Sequence, residues 1–265
     1  MKSILGLIVA LSAEGRSLLG RKGWRREREG ILRRLRLNDG TNMVCVCSGV
    51  GIENALSAAR RLADEGASAL AVTGVAGGLS PGIKTGDLII AETVLEKEDE
   101  KKDRIWNTDT LYTDLVRKAL VAEGLTAHPG ILISTTQPVF TTQTKRYFYR
   151  RHQALAVDME SAGVAHAAEE AGLPFFILRA VCDTFEEYVP PDFFACIDPN
   201  GDVRLPVLFR RLWLSPSSIV ALLRMRKKFG IALAALKRGW QVQINYGLPA
   251  LLVSRQLNRG MRIQY

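Results

Sequence analysis

Seven short apolar runs punctuate the first 181 residues: Ile4–Leu11, Met43–Cys47, Ala69–Thr73, Leu88–Val94, Gly130–Ser134, Ala154–Val157 and Phe175–Val181. A strand with one wet face alternates apolar and polar residues, whereas these are apolar almost throughout. They therefore predict strands covered on both faces. Helical patterns lie between them at Glu53–Glu65, Leu111–Glu123 and Ser161–Ala171, and Gly124 and Gly172 supply stops for the last two. This alternation predicts an α/β fold with a mixed, mostly parallel central sheet flanked by helices. No apolar run approaches the roughly 18 residues of a membrane span.

Charge divides the chain in two. From Val203 to Tyr265 there are 12 Lys and Arg and no Asp or Glu, whereas residues 1–202 hold 24 basic and 27 acidic residues. The predicted organisation is a near-neutral domain over 1–202 and a basic, apolar, helical extension over 203–265. A basic appendage on a near-neutral body argues against a general nucleic-acid binder. The four cysteines, Cys45, Cys47, Cys182 and Cys196, form no CxxC pair, and His128, His152 and His166 have no metal spacing. No metal site is expected, and the thiols read as reduced and buried in a cytoplasmic protein.

Ligands of open parallel sheets bind beyond the carboxyl ends of the strands. Three carboxylates directly follow predicted strands: Glu14, Glu160 and Asp183. Asp87 precedes a strand, which predicts a place at the opposite edge. Three carboxylates at one edge suit a polar, hydroxylated substrate, with one binding a diol, one acting as general acid and one positioning a nucleophile. Two glycine segments accompany them. Thr73-Gly74-Val75-Ala76-Gly77-Gly78-Leu79 reads as a loop where backbone approaches a ligand, with spacing unlike a dinucleotide fingerprint. Ser48-Gly49-Val50-Gly51 precedes a helix N-terminus, where an anion can sit.

These stretches, with Val9–Glu14, Val157-Asp158-Met159-Glu160-Ser161-Ala162 and Leu178-Arg179-Ala180-Val181-Cys182-Asp183, resemble the nucleoside phosphorylase and nucleosidase superfamily over about residues 1–200. The resemblance implies cleavage of a nucleoside's N-glycosidic bond, a nucleoside phosphorylase-like fold and no cofactor beyond inorganic phosphate as a co-substrate. By motif, Asp183 would protonate the leaving purine and Glu14 would activate water. Glu160 would grip the ribose hydroxyls, with Met159 against the sugar and Ala76 and Gly77 lining the site. Phe140 reads as a base-stacking aromatic or a core residue. The residue after Thr73-Gly74 is Val75, which offers phosphate only its N–H. A phosphate site would then rest on Ser48, Gly49, Val75 and an arginine such as Arg16, and the nucleophile stays open between phosphate and water.

The segment Asp198–Pro206 and the basic tail suggest a narrower resemblance, to hopanoid-associated phosphorylases. That implies adenosylhopane as substrate, adenine and a ribosylated hopane as products. The alternatives are a 5′-methylthioadenosine/S-adenosylhomocysteine nucleosidase and an inactive nucleoside-binding protein on the same fold. In the tail, Leu222, Met225, Phe229, Leu233 and Leu236 form one stripe, flanked by Trp213 and Trp240 and opposed by Arg224, Lys227, Lys228 and Arg238. It suits either an anionic membrane surface or packing on the catalytic domain or another subunit. A homo-oligomer is expected.

Overall fold

A computed structural model describes residues 4–27, 30–97, 103–189 and 217–261, with side chains described over 4–27, 31–97, 103–189 and 223–254. All seven predicted strands are present: β1 (Ile4–Val9), β4 (Asn42–Cys47), β5 (Ala69–Gly78), β6 (Leu88–Lys97), β8 (Ala127–Thr135), β9 (Ala156–Asp158) and β10 (Phe175–Asp183). So are the three predicted helices, α2 (Ile52–Asp64), α3 (Thr110–Ala122) and α5 (Ser161–Ala171). Five elements were not foreseen: α1 (Ser12–Leu19), β2 (Arg25–Glu27), β3 (Gly30–Arg36), β7 (Arg104–Asn107) and α4 (Thr142–His152). The tail forms α6 (Ser217–Asn245) and α7 (Leu248–Met261). The start of the basic extension through residue 216, the segment 198–206, Cys196, Trp213 and the Leu222 side chain lie outside the described residues.

The strands join in one mixed sheet ordered β10-β6-β8-β9-β5-β1-β4-β3-β2, with β7 on β6. β5 also pairs with β10, so β5, β10, β6, β8 and β9 close into a ring. β1, β4, β5 and β10 run parallel, and β6 and β9 run against them. The glycine segment at 73–79 is therefore mostly strand. β5 continues through Gly78, and its last residues pair with β9 at Gly77–Val157 and Gly78–Ala156.

Asp87 is likewise re-sited. β6 is antiparallel to β10, with Leu88 opposite Ala180, so the start of β6 lies beside the end of β10. The Asp87 carbonyl accepts from Val181 N, and its carboxylate turns to His128 and the Lys84 amide.

Helices cover both faces, as strands without a wet side require. α2 and α5 pack on one face, with Ile52, Ala55, Leu62, Val164 and Ala168 against Ile8, Leu70 and Val72. On the other face, α1, α3, α6 and α7 meet Leu5, Leu7, Cys45, Ala71, Phe176 and Leu178. The C-terminal helices belong to this core: Ala232, Leu236, Trp240, Leu252 and Val253 are buried in it. The stripe predicted on α6 faces inward, with Met225 and Leu236 buried and Phe229 and Leu233 half-buried, while Arg224, Lys227 and Arg238 face outward. Trp240 is 1% exposed and is no interfacial aromatic. Among the described residues, no helix is long and apolar enough to cross a membrane.

Because Trp240 is enclosed, Trp240→Ala should lower unfolding free energy by about 3–5 kcal/mol in chemical denaturation. A loss below about 1 kcal/mol would show α6 to be a loosely attached element.

Candidate active site

Glu14, Glu160 and Asp183 line one cavity, together with Ala76, Gly77, Asp158 and Met159. Topology explains the convergence. Glu14 and Asp183 stand at the carboxyl ends of the parallel strands β1 and β10. Glu160 follows the oppositely directed β9, which reaches the same place because β5 runs on to pair with it. The remaining wall is mostly apolar and includes Val50, Val139 and Val189, with Met225 and Phe229 contributed by α6.

Behind the carboxylates lies a fully buried guanidinium. Arg179 Nη2 is 2.5 Å from Asp158 Oδ2, 3.4 Å from Glu160 Oε2 and 3.2 Å from Ser161 Oγ. Asp158 also accepts from the hydroxyls of Ser134 and Ser161 and from the amides of Glu160 and Ser161, which fixes the turn that presents Met159 and Glu160. The other Glu160 oxygen accepts from Gly51 N at 3.1 Å. Gly51 holds φ +115°, a conformation that side chains disfavour, and so aims its amide at Glu160 from the start of α2.

Glu14 is tied from both sides. One oxygen accepts from Leu11 N at 2.9 Å and the other from Val75 N at 2.8 Å. A Cβ at Gly74 would lie 2.5 Å from Arg179 Nη1 and 2.6 Å from Glu14 Oε1, so only glycine lets both groups close over β5. Arg179 Nη1 and Nε have no hydrogen-bond partner among the described residues.

Burial pushes Glu14 above the usual carboxylate range, against the pull of Arg179 and its amide donors. Burial also raises Glu160, to about 7, opposed by Arg179 and reinforced by Asp158 and Glu14. Burial disfavours the Arg179 charge, but Asp158, Glu160 and Glu14 together hold it firmly protonated. Asp183 is raised by burial and held back by Lys145, whose ammonium contacts Oδ2.

Of the other expected site residues, Val75 lines the cavity, while Phe140, Ser48, Gly49 and Arg16 are not among its lining residues. Phe140, half-buried, packs against the apolar core, and among the described residues the aromatic on the cavity wall is Phe229. The phosphate group is not assembled. Ser48 Oγ donates to the Gly49 and Val9 carbonyls, Gly49 N to Ala10 O, and Val75 N to Glu14. Arg16 is exposed on a separate groove with Arg21, Trp24, Arg25 and Arg26. The physical reason is competition, since the Ser48, Gly49, Gly51 and Val75 amides already serve protein acceptors. Sequence reasoning assigned no role to Arg179, Asp158 or Lys145. An arginine inside an apolar strand run was the one available signal.

The phosphorylase superfamily model matches residues 5–192. The chain belongs to that superfamily, a class of enzymes. It is 29% identical over 162 residues to the 5′-methylthioadenosine/S-adenosylhomocysteine nucleosidase of Geobacillus kaustophilus, covering 55% of this chain and 68% of the relative. With the corresponding nucleosidase of Actinobacillus succinogenes it shares 27% over 177 residues, or 57% and 76% of the two chains. The fold matches Helicobacter pylori 5′-methylthioadenosine/S-adenosylhomocysteine nucleosidase at TM-score 0.72 and 15% identity, over 92% of this chain and 99% of the other. It matches futalosine hydrolase of the same organism at 0.72 and 15%, over 93% and 99%.

These matches overturn the narrower resemblance to hopanoid-associated phosphorylases, and with it adenosylhopane as substrate. The relatives matched in sequence above are nucleosidases. The amphipathic tail that prompted the resemblance is, over α6, a core helix and cavity wall.

The raised Glu160 carries a stability signature. Its folded pKa, about 7, exceeds the unfolded value of 4.5, so the native state binds the extra proton between them. That contribution is full below pH 4.5 and is lost as pH rises through 7. Glu160→Gln should therefore be more stable than wild type at pH 8, by about 3 kcal/mol, with the gain shrinking toward pH 5. Equal effects at both pH values in thermal melts would contradict the raised pKa.

Proposed function

We propose that this enzyme hydrolyses the N-glycosidic bond of a 5′-substituted adenosine, with 5′-methylthioadenosine and S-adenosylhomocysteine as the substrates to test first. The observation that carries the reading is the meeting of Glu14, Glu160 and Asp183 on one largely apolar cavity. Breaking the bond sends its electron pair to the purine and leaves oxocarbenium character on the ribose. Asp183, whose hold on a proton is strengthened by burial, gives its proton to purine N7. Glu160 accepts hydrogen bonds from the ribose 2′ and 3′ hydroxyls. Glu14 takes a proton from the water that adds at C1′. These interactions strengthen as charge develops, which is where binding accelerates a reaction. Met159, Met225 and Phe229 offer apolar surface to the sugar, the base and the 5′ substituent.

Water is favoured over phosphate by the electrostatics. Glu14 consumes the Val75 amide and sets a carboxylate near the nucleophile's place, which repels a phosphate dianion but suits a base. Arg179, the cation behind it, is already committed to Asp158 and Glu160. An inactive binding protein has no need of three buried carboxylates held at such electrostatic cost.

The membrane contact proposed for 203–265 now rests on charge alone, from exposed residues such as Arg224, Lys227 and Arg238. Exposed Ile105, Leu111, Tyr147 and Tyr188 support a homo-oligomer. Cys45, Cys47 and Cys182, buried and outside any disulfide among the described residues, support a reducing, cytoplasmic setting.

The test is adenine release from 5′-methylthioadenosine in phosphate-free buffer and with added phosphate. Free methylthioribose at the same rate in both is expected, and Glu14→Gln and Asp183→Asn should each lower kcat by about 10²–10⁴-fold. Strict dependence on phosphate, or either variant keeping more than about a tenth of the rate, would contradict the assignment.

A further inference from the structure

The mechanism above makes no use of the buried charge of Lys145. Lys145 sits in the first turn of α4, behind the Thr141 N-cap, and its side chain is fully buried. Its ammonium contacts Asp183 Oδ2 and donates to Thr184 O at 2.7 Å. A lysine there is unfavourable twice over, by desolvation and by the positive end of the helix dipole. Replacing such a pair with apolar side chains is often neutral or stabilising, so fold stability alone does not call for it.

On its other side, Asp183 abuts Gly77, where a Cβ would lie 3.2 Å from Oδ2. The carboxylate is thus clamped between a bare backbone and a single buried cation. The other charges around it come from several elements. Lys228 on α6 is paired with Glu187, which also accepts from Thr184 N. Glu14 and Glu160 share the cavity, and the neighbouring Cys182 thiol is pushed up to about 12, mainly by burial.

We propose that Lys145 is a positioning residue that holds the Asp183 carboxylate against Gly77 and balances the negative charge left there when Asp183 gives up its proton. The inference rests on the reading of Asp183 as the general acid. The step balances: the proton passes from Asp183 to purine N7 as N9–C1′ breaks with its electron pair to the purine. The carboxylate that remains faces an ammonium that stays protonated, and solvent restores the Asp183 proton after the products leave. Without Lys145 the acid is weaker, because ionisation leaves an unpaired charge in an apolar cavity.

The experiment compares wild type, Lys145→Met and Lys145→Arg, with folding checked by thermal melts. Titration of the Asp183 carboxyl by ¹³C NMR, its signal identified by loss in Asp183→Asn, needs no turnover. The midpoint should rise by about 1–3 pH units in Lys145→Met and by much less in Lys145→Arg. On 5′-methylthioadenosine, Lys145→Met should lower kcat by about 10–100-fold with KM within about threefold, and the alkaline limb of its pH profile should move up with the NMR midpoint. An unmoved midpoint, or a slowed enzyme with an unmoved limb, would overturn the inference and leave Lys145 a packing residue. A wild-type enzyme that releases no adenine would overturn the functional reading instead, while the NMR midpoint still decides whether Lys145 sets the acidity of Asp183.

Discussion

The site depends on one fully buried guanidinium. Glu14, Asp158 and Glu160 arrive from separate parts of the chain, and their mutual repulsion in a low-dielectric interior would force them apart or neutralise them. Arg179, rising from the middle of β10, faces all three. It bonds Asp158 tightly and Glu160 loosely, and meets Glu14 across the bare backbone of Gly74. Asp158, satisfied by two serines and two amides, behaves as the fixed anchor, and Glu160 and Glu14 remain turned to the cavity. Removing Arg179 strands the carboxylates without their cation, at a cost of about 3–5 kcal/mol.

The fold serves this arrangement by bending its sheet into a ring. An open parallel sheet would bring only the ends of β1 and β10 to the cavity. The long β5, paired with β10 on one side and with the reversed β9 on the other, adds Glu160 to the same space. α6 then closes the cavity with Met225 and Phe229, so the basic C-terminal segment completes the site it was first read as merely adjoining.

The amino-acid sequence made much of this legible, and the failures have physical causes. Apolar runs announced the seven central strands because burial on both faces leaves no polar residues to blur them. β2 and β3 escaped notice because edge strands carry charge, here Arg25, Arg26, Arg33, Arg34 and Arg36. α4 escaped because Thr-Gln-Thr-Lys-Arg reads as surface, although Lys145 is among its buried residues. The three site carboxylates could be picked out by position after strands. Asp87 was misplaced by assuming a parallel β6. Pairing direction is a tertiary property that a local pattern does not record. Arg179 lay in plain view within an apolar strand, but its partners come from residues 14, 158 and 160 and only folding reveals them. The stripe on α6 was visible as a pattern, while its partner, the sheet rather than a lipid surface, was not.

The central claim is that Arg179 and Asp158 act as one unit, and a double-mutant cycle measures it directly. Urea unfolding of wild type, Arg179→Met, Asp158→Asn and the double variant isolates their coupling. A coupling of about 2 kcal/mol or more is expected, with the double variant hardly less stable than the worse single one. Losses that add to within about 0.5 kcal/mol would contradict the account, because two groups in one buried ion pair cannot be independent.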